Sequence, residues 1–161
     1  MRFIKSPNFN VCFNRKIECI VLHATGSNNI NSTIYWFENP ESKVSAHYII
    51  DKNGDVVQMV QDKDIAWHCG DSRWRGKRYV NRYSVGVELV NLNDGKDNYP
   101  CLQITETLSL CKRLCRLYGL DDTGITTHKA VSPDRKHDPA GWDEEGFKKN
   151  LQALLQETKE T

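Results

Sequence analysis

Two periods of apolar positions run along the chain. Residues 17–24 (IECIVLHA) are almost wholly apolar and rich in β-branched side chains, the pattern of a strand buried on both faces. Residues 44–51 and 55–60 are two further strand-like runs, and the Lys52-Asn53-Gly54 between them predicts a hairpin. A fourth strand is expected over 84–91 (SVGVELVN), with Val85 and Val87 on one face and Gly86, Glu88 and Val90 on the other. The helical period appears first at 31–39, which opens on capping residues and stops before Pro40. It returns as Ile104, Leu108, Cys111, Cys115 and Tyr118, halted by Gly119, and again as Phe147, Leu151 and Leu154. Strands and helices interleave, so the expected fold class is α/β: one domain with a mixed central β-sheet flanked by helices. Its motif-bearing core spans about 17–142, and a C-terminal helix follows at about 143–157.

Length and charge narrow the function classes. At 161 residues the chain is the size of one domain, taken as 1–161. Twenty-two basic residues against 21 acidic leave a net charge of +1, which argues against a nucleic-acid partner recognised by bulk basicity. No apolar run is long enough to span a membrane. The first residues, MRFIKSPNFNVCFNRK, lack the apolar stretch of a secretory signal, so the expected location is the cytoplasm. Six cysteines, at 12, 19, 69, 101, 111 and 115, include no Cys-x-x-Cys and are read as reduced packing thiols.

Histidine placement carries the chemistry. His23 sits where strand 17–24 leaves the sheet, and His128 follows the β-like run GITT. Asp138 lies ten residues after His128, in the stiff segment SPDRKHDPAGW. Two imidazoles and a carboxylate can form an open zinc site, although spacing alone leaves open a pair of hydrogen-bonded structural histidines and a turn-capping aspartate. Glu88, a carboxylate among apolar neighbours, suits a general base; a strand-edge ion pair with a nearby arginine is the other reading. Lys136 is two residues from Asp138 and in extended chain points the same way, either towards an oxyanion or into solvent. His47 and His137 read as structural or supporting residues.

Taken together, IVLHATGS, VSAHYIIDKNGDVVQMV, IAWHCG, WRGKRYVNRYSVGVELVN and THKAVSPDRKHDPAGW resemble, in order, the zinc-dependent N-acetylmuramoyl-L-alanine amidases of the type 2 family. That family is related to peptidoglycan recognition proteins and small phage amidases. The resemblance implies a peptidoglycan-recognition-protein-like fold and a peptidoglycan or muropeptide substrate cut between N-acetylmuramic acid and L-alanine. It implies Zn2+ held by His23, His128 and Asp138, with Glu88 activating the attacking water and Lys136 stabilising the tetrahedral intermediate. Trp67 and His68 fall in the family's AWHxG loop beside the substrate groove, where the indole could pack on a sugar face or anchor the loop. Arg135 is placed to hydrogen-bond a peptide carboxylate, although the neighbouring Asp134 offers it a simpler role. The chain is expected to act as a monomer, with its cysteines outside the site. A binding module that holds muramyl peptides without cutting them is the alternative.

Overall fold

Cys19–Ala24 form β3, and its alternate side chains point into different environments. Ile20 and Leu22 enter the larger apolar core, while Val21 joins a smaller cluster on the other side. The computed structural model describes residues 1–157; residues 158–161 of the expected domain lie outside them. Its elements run β1 (Arg2–Phe3), β2 (Phe9–Asn10), β3, α1 (Ile30–Glu38), β4 (Tyr48–Ile50), β5 (Val56–Gln58), β6 (Ile65–Ala66), β7 (Arg73–Trp74) and β8 (Lys77–Arg78). There follow β9 (Ser84–Leu89), α2 (Cys101–Tyr118), β10 (Ile125–Thr127), α3 (His128–Val131) and α4 (Glu144–Gln156).

Six strands make the central sheet, in the order β1-β5-β4-β9-β3-β10. Neighbours are parallel except β4 and β5, the expected hairpin. Its turn closes with Gly54 N–H donating to Asp51 O at 3.0 Å, and Gly54 takes φ +88°, a conformation that favours glycine. The sheet is mixed and covered by helices on both faces. Val85, Val87 and Leu89 of β9 pack with Ile20, Leu22 and the buried side of α2 and α4; α1 covers Ile49, Val57 and Val90 on the opposite face.

Two helix readings shift in detail. α1 starts at Ile30 because the Asn29 side chain caps it, accepting from the Asn31 and Ser32 amides. α2 ends at Gly119 as expected, in the left-handed region at φ +65°. Its most buried face, however, runs through Gln103, Thr107, Leu110, Cys111, Leu114 and Cys115, leaving Ile104, Leu108 and Tyr118 half-buried at its rim. The apolar periodicity missed this because Gln103 is buried as a hydrogen-bond donor: its Nε2 reaches both Ile50 O and Val90 O at 3.0 Å and ties α2 to the ends of β4 and β9. The short strands β1, β2, β6, β7 and β8 carry too few residues for a readable period, and none was expected.

Candidate metal centre and cleft

The parallel strands β3, β9 and β10 end along one edge of the sheet, the usual place for a site in such a layout. His23 is the penultimate residue of β3 and stands in register with Glu88, the penultimate residue of β9. His128 follows the last residue of β10 and begins α3. The chain then folds back so that Lys129 N–H donates to Asp138 O at 2.8 Å, returning Asp138 to His128 across the intervening loop. Asp138 Oδ2 lies 3.4 Å from His23 Nδ1 and 3.0 Å from His128 Nδ1. One donor atom from each of these three buried residues falls within 4.8 Å of the others.

The tautomers follow from the partners. The single Ser84 hydroxyl proton goes to Val80 O at 2.7 Å, so Ser84 Oγ accepts from His68 Nε2–H at 3.1 Å. That leaves His68 Nδ1 as an acceptor for His23 Nε2–H, 2.9 Å away, and His23 Nδ1 bare towards Asp138. His128 is settled the same way, with Nε2 facing the Cys69 carbonyl at 3.4 Å and Nδ1 turned to Asp138. Two bare imidazole nitrogens and a carboxylate oxygen fit a zinc ion: bonds of about 2.0–2.2 Å in a tetrahedron set ligands about 3.3–3.5 Å apart. Each histidine has its far nitrogen held, the arrangement that fixes a ligand's orientation.

The electrostatics agree. Burial pulls His23 down from 6.5 to about 4, keeping it neutral near pH 7. Burial also pushes Asp138 upward, but its close contacts with the His128 and His23 rings outweigh it and hold the carboxyl well below the usual range. Glu88 moves the other way, from 4.5 to about 8, because it is desolvated and faces Asp138, with Lys136 opposing the rise. Its Oε2 is covered and has no hydrogen-bond partner among the described residues. Glu88, Lys136, His128 and Asp138 line one cleft of about 450 Å³, together with Trp36 and Phe37 of α1 and with Trp67.

The remaining expected residues divide. Trp67 lines the cleft half-buried, its indole N–H donating to Asn10 Oδ1 at 2.7 Å, so it both anchors its loop and offers a surface. His68 lies at the cleft floor, 8% exposed, and its polar atoms are committed to His23, Ser84 and Cys69. Arg135 departs from expectation: it does not line the cleft. One of its guanidinium nitrogens donates to Cys69 O and Asp71 O at 2.9 and 2.7 Å, so it pins two loops together. His47 is buried as a structural residue, whereas His137 is exposed on its loop. The cysteines were expected to stay outside the site, yet Cys69 Sγ lies 3.1 Å from His68 Nδ1. Sequence reading also missed Ser84 and Gly86. A Cβ on Gly86 would stand 2.5 Å from the His68 ring, and the only trace of this in the sequence is a glycine inside a strand. Trp36, exposed at the cleft mouth, was hidden in a helical run.

A buried cluster of two imidazoles and a carboxylate, with an unpaired acid on the adjacent strand beside a cleft, defines a candidate metal-dependent hydrolase. The profile of the N-acetylmuramoyl-L-alanine amidase family matches residues 13–141, and the chain belongs to that family. It is 32% identical over 117 residues to the 1,6-anhydro-N-acetylmuramyl-L-alanine amidase AmpD of Escherichia coli, covering 71% of this chain and 62% of that protein. It is 28% identical over 138 residues to the N-acetylmuramoyl-L-alanine amidase AmiD of the same organism, covering 77% of this chain and 49% of the relative. The chain thus spans about half to three fifths of these relatives' length. The fold is that of a selenomethionine AmpD derivative (TM-score 0.76, 24% identity, 93% of each chain covered). It also matches E. coli AmiD in complex with anhydro-N-acetylmuramic acid-L-Ala-D-γ-Glu-L-Lys (TM-score 0.76, 24% identity, 85% of this chain and 57% of that one).

Proposed function

We propose that the protein is a zinc-dependent amidase that hydrolyses the bond between the lactyl group of N-acetylmuramic acid and L-alanine, in peptidoglycan or in soluble muropeptides. The observation that carries this reading is the pair of bare Nδ1 atoms of His23 and His128 converging on Asp138, with the unpartnered Glu88 carboxyl on the adjacent strand. In this site His23, His128 and Asp138 would hold Zn2+, which supplies Lewis acidity when bound. Glu88 takes the proton of the attacking water and delivers it to the departing L-alanine amine, and its raised pKa suits both transfers. Lys136 faces the same space and steadies the negative charge that develops on the carbonyl oxygen. Trp67 and Trp36 border the groove and supply flat apolar faces for a sugar ring. The complex formed by AmiD supports an anhydromuramyl peptide as the ligand class. No helix among the described residues is long and apolar enough to cross a membrane, and buried free thiols at Cys19, Cys69, Cys111 and Cys115 fit a reducing compartment.

Mass spectrometry of products from intact sacculi and from a soluble anhydromuramyl tripeptide tests the reading. The expected product is a peptide with a free L-alanine amino terminus, in the presence of Zn2+. Tight binding of the muropeptide without release of that peptide would replace the amidase by a binding module.

A further inference from the structure

Behind His23, on the side turned away from Asp138, a second set of donors converges. His23 Nε2 lies 2.9 Å from His68 Nδ1, and His68 Nδ1 lies 3.1 Å from Cys69 Sγ. One ligand atom from each residue falls within 4.8 Å of the others, and all three are buried, at 1%, 8% and 1% exposure. The thiol is packed with Cys19, Val21, Val80 and Val131, so the surroundings are apolar and soft rather than oxygen-rich. The backbone of Gly86 lies against the His68 ring, and a cation enters by replacing the His23 Nε2–H···His68 Nδ1 hydrogen bond and parting the two rings. His68 also lines the outer cleft.

We propose that His23, His68 and Cys69 form a second metal site, selective for soft cations such as Cd2+, and that filling it expels metal from the His23/His128/Asp138 set. The first half follows from donor type. A thiolate and two imidazoles with no carboxylate favour soft ions, whereas the outer set has a hard oxygen. The second half, which rests on the outer set holding zinc, follows from proton balance on His23. A neutral imidazole carries one proton, here on Nε2 and donated to His68. A cation on Nε2 displaces that proton to Nδ1, where it points at Asp138 Oδ2 and removes the lone pair the outer ion needs. Cys69 forms its bond to the cation as a thiolate and releases its own proton to solvent. Each inner ion bound therefore costs the outer ion one of its three ligands.

The test is a Cd2+ titration of the metal-free protein, followed by the thiolate-to-cadmium charge-transfer band. The band is expected in the parent protein and absent in Cys69→Ala, which keeps the parent's Zn2+ uptake and thereby shows that it is folded. Cys69→Ser, closer in shape, is expected to behave the same way. In zinc-loaded protein each Cd2+ taken at the thiolate is expected to release one Zn2+ to a chromophoric chelator. An undiminished band in Cys69→Ala, or Cd2+ bound at the thiolate with zinc retained, would overturn the proposal. Absence of zinc uptake in the parent protein, with the cadmium band present, would count against the outer set alone and overturn the expulsion.

Discussion

His68 determines which nitrogen of His23 faces Asp138, through a 2.9 Å contact between His68 Nδ1 and His23 Nε2. The direction of that bond comes from Ser84, whose proton is already spent on Val80 O. Replacing His68 by Phe keeps the ring and removes the acceptor. Zinc affinity is expected to fall by about 10–100-fold, the usual cost of losing a ligand's hydrogen-bond partner. Competition with a chelator of known strength measures it, and an unchanged affinity would show that His23 orients itself without help.

Glu88 separates stability from chemistry. Its buried Oε2 has no hydrogen-bond partner among the described residues, so that oxygen adds no hydrogen bond to the fold. Glu88→Gln is expected to leave the melting temperature equal or higher and zinc bound, while amide turnover drops by about 10²–10⁴-fold, the range for a lost general base. Thermal melts, metal content and product release on one preparation check all three. Turnover within a factor of a few of the parent would remove Glu88 from the mechanism.

Gly86 is the tightest point beneath the site. Its φ is unremarkable, and the constraint is space: an added Cβ would lie 2.5 Å from His68 Cγ. Gly86→Ala is expected to push the His68 ring off His23, lowering both zinc affinity and stability, the latter by about 1–3 kcal/mol as for other overpacked interiors. Calorimetry together with zinc competition reads the two losses, and the paired variant Gly86→Ala/His68→Ala is expected to regain stability without regaining affinity.

His47 imposes a pH dependence on folding. Its Nδ1 accepts from Gly86 N–H at 2.9 Å and its Nε2–H faces Asp64 O at 3.1 Å, so a second proton would point at a donor. Burial first, and the nearby Arg15 charge second, lower its pKa from 6.5 to about 3. Because the folded value is the depressed one, the stability is fully present above pH 6.5 and is lost as pH falls from there towards about 3. The contribution to the slope approaches about 1.4 kcal/mol per pH unit. Denaturant titrations across that window are expected to show a flatter profile for His47→Asn than for the parent. Parallel profiles would mean that His47 titrates normally in the folded protein.

What could be read from the sequence follows residue spacing. The long apolar run at Cys19–Ala24, the Asn-Gly hairpin and the glycine-stopped α2 announce themselves, because each rests on a local pattern. His23, His128 and Glu88 stand at or just beyond strand ends, so the fold that those strands imply already brings them to one edge, and Asp138 joins them by the return of the loop after α3. The supporting contacts could not be read this way. His68, Ser84 and Gly86 meet only because β9 passes under the loop after β6, a pairing distant in sequence. Arg135 shows the same limit: the sequence offers only its charge, whereas one of its guanidinium nitrogens donates to two backbone carbonyls of a distant loop.

The alternation along β3 and β9 also bears on how this scaffold can be varied. Ile20, Leu22, Val85 and Val87 belong to the core shared with α2 and α4, while one residue further along the same strands His23 is buried against Asp138 and Glu88 lines the cleft. Foldedness and reactivity are thus written on interleaved letters of the same two words. A library randomised at Glu88 and Lys136, which line the cleft, is expected to consist largely of folded proteins, so loss of chemistry and loss of the domain are separable events in this architecture. A chain that has forgotten how to hydrolyse would still present the same groove.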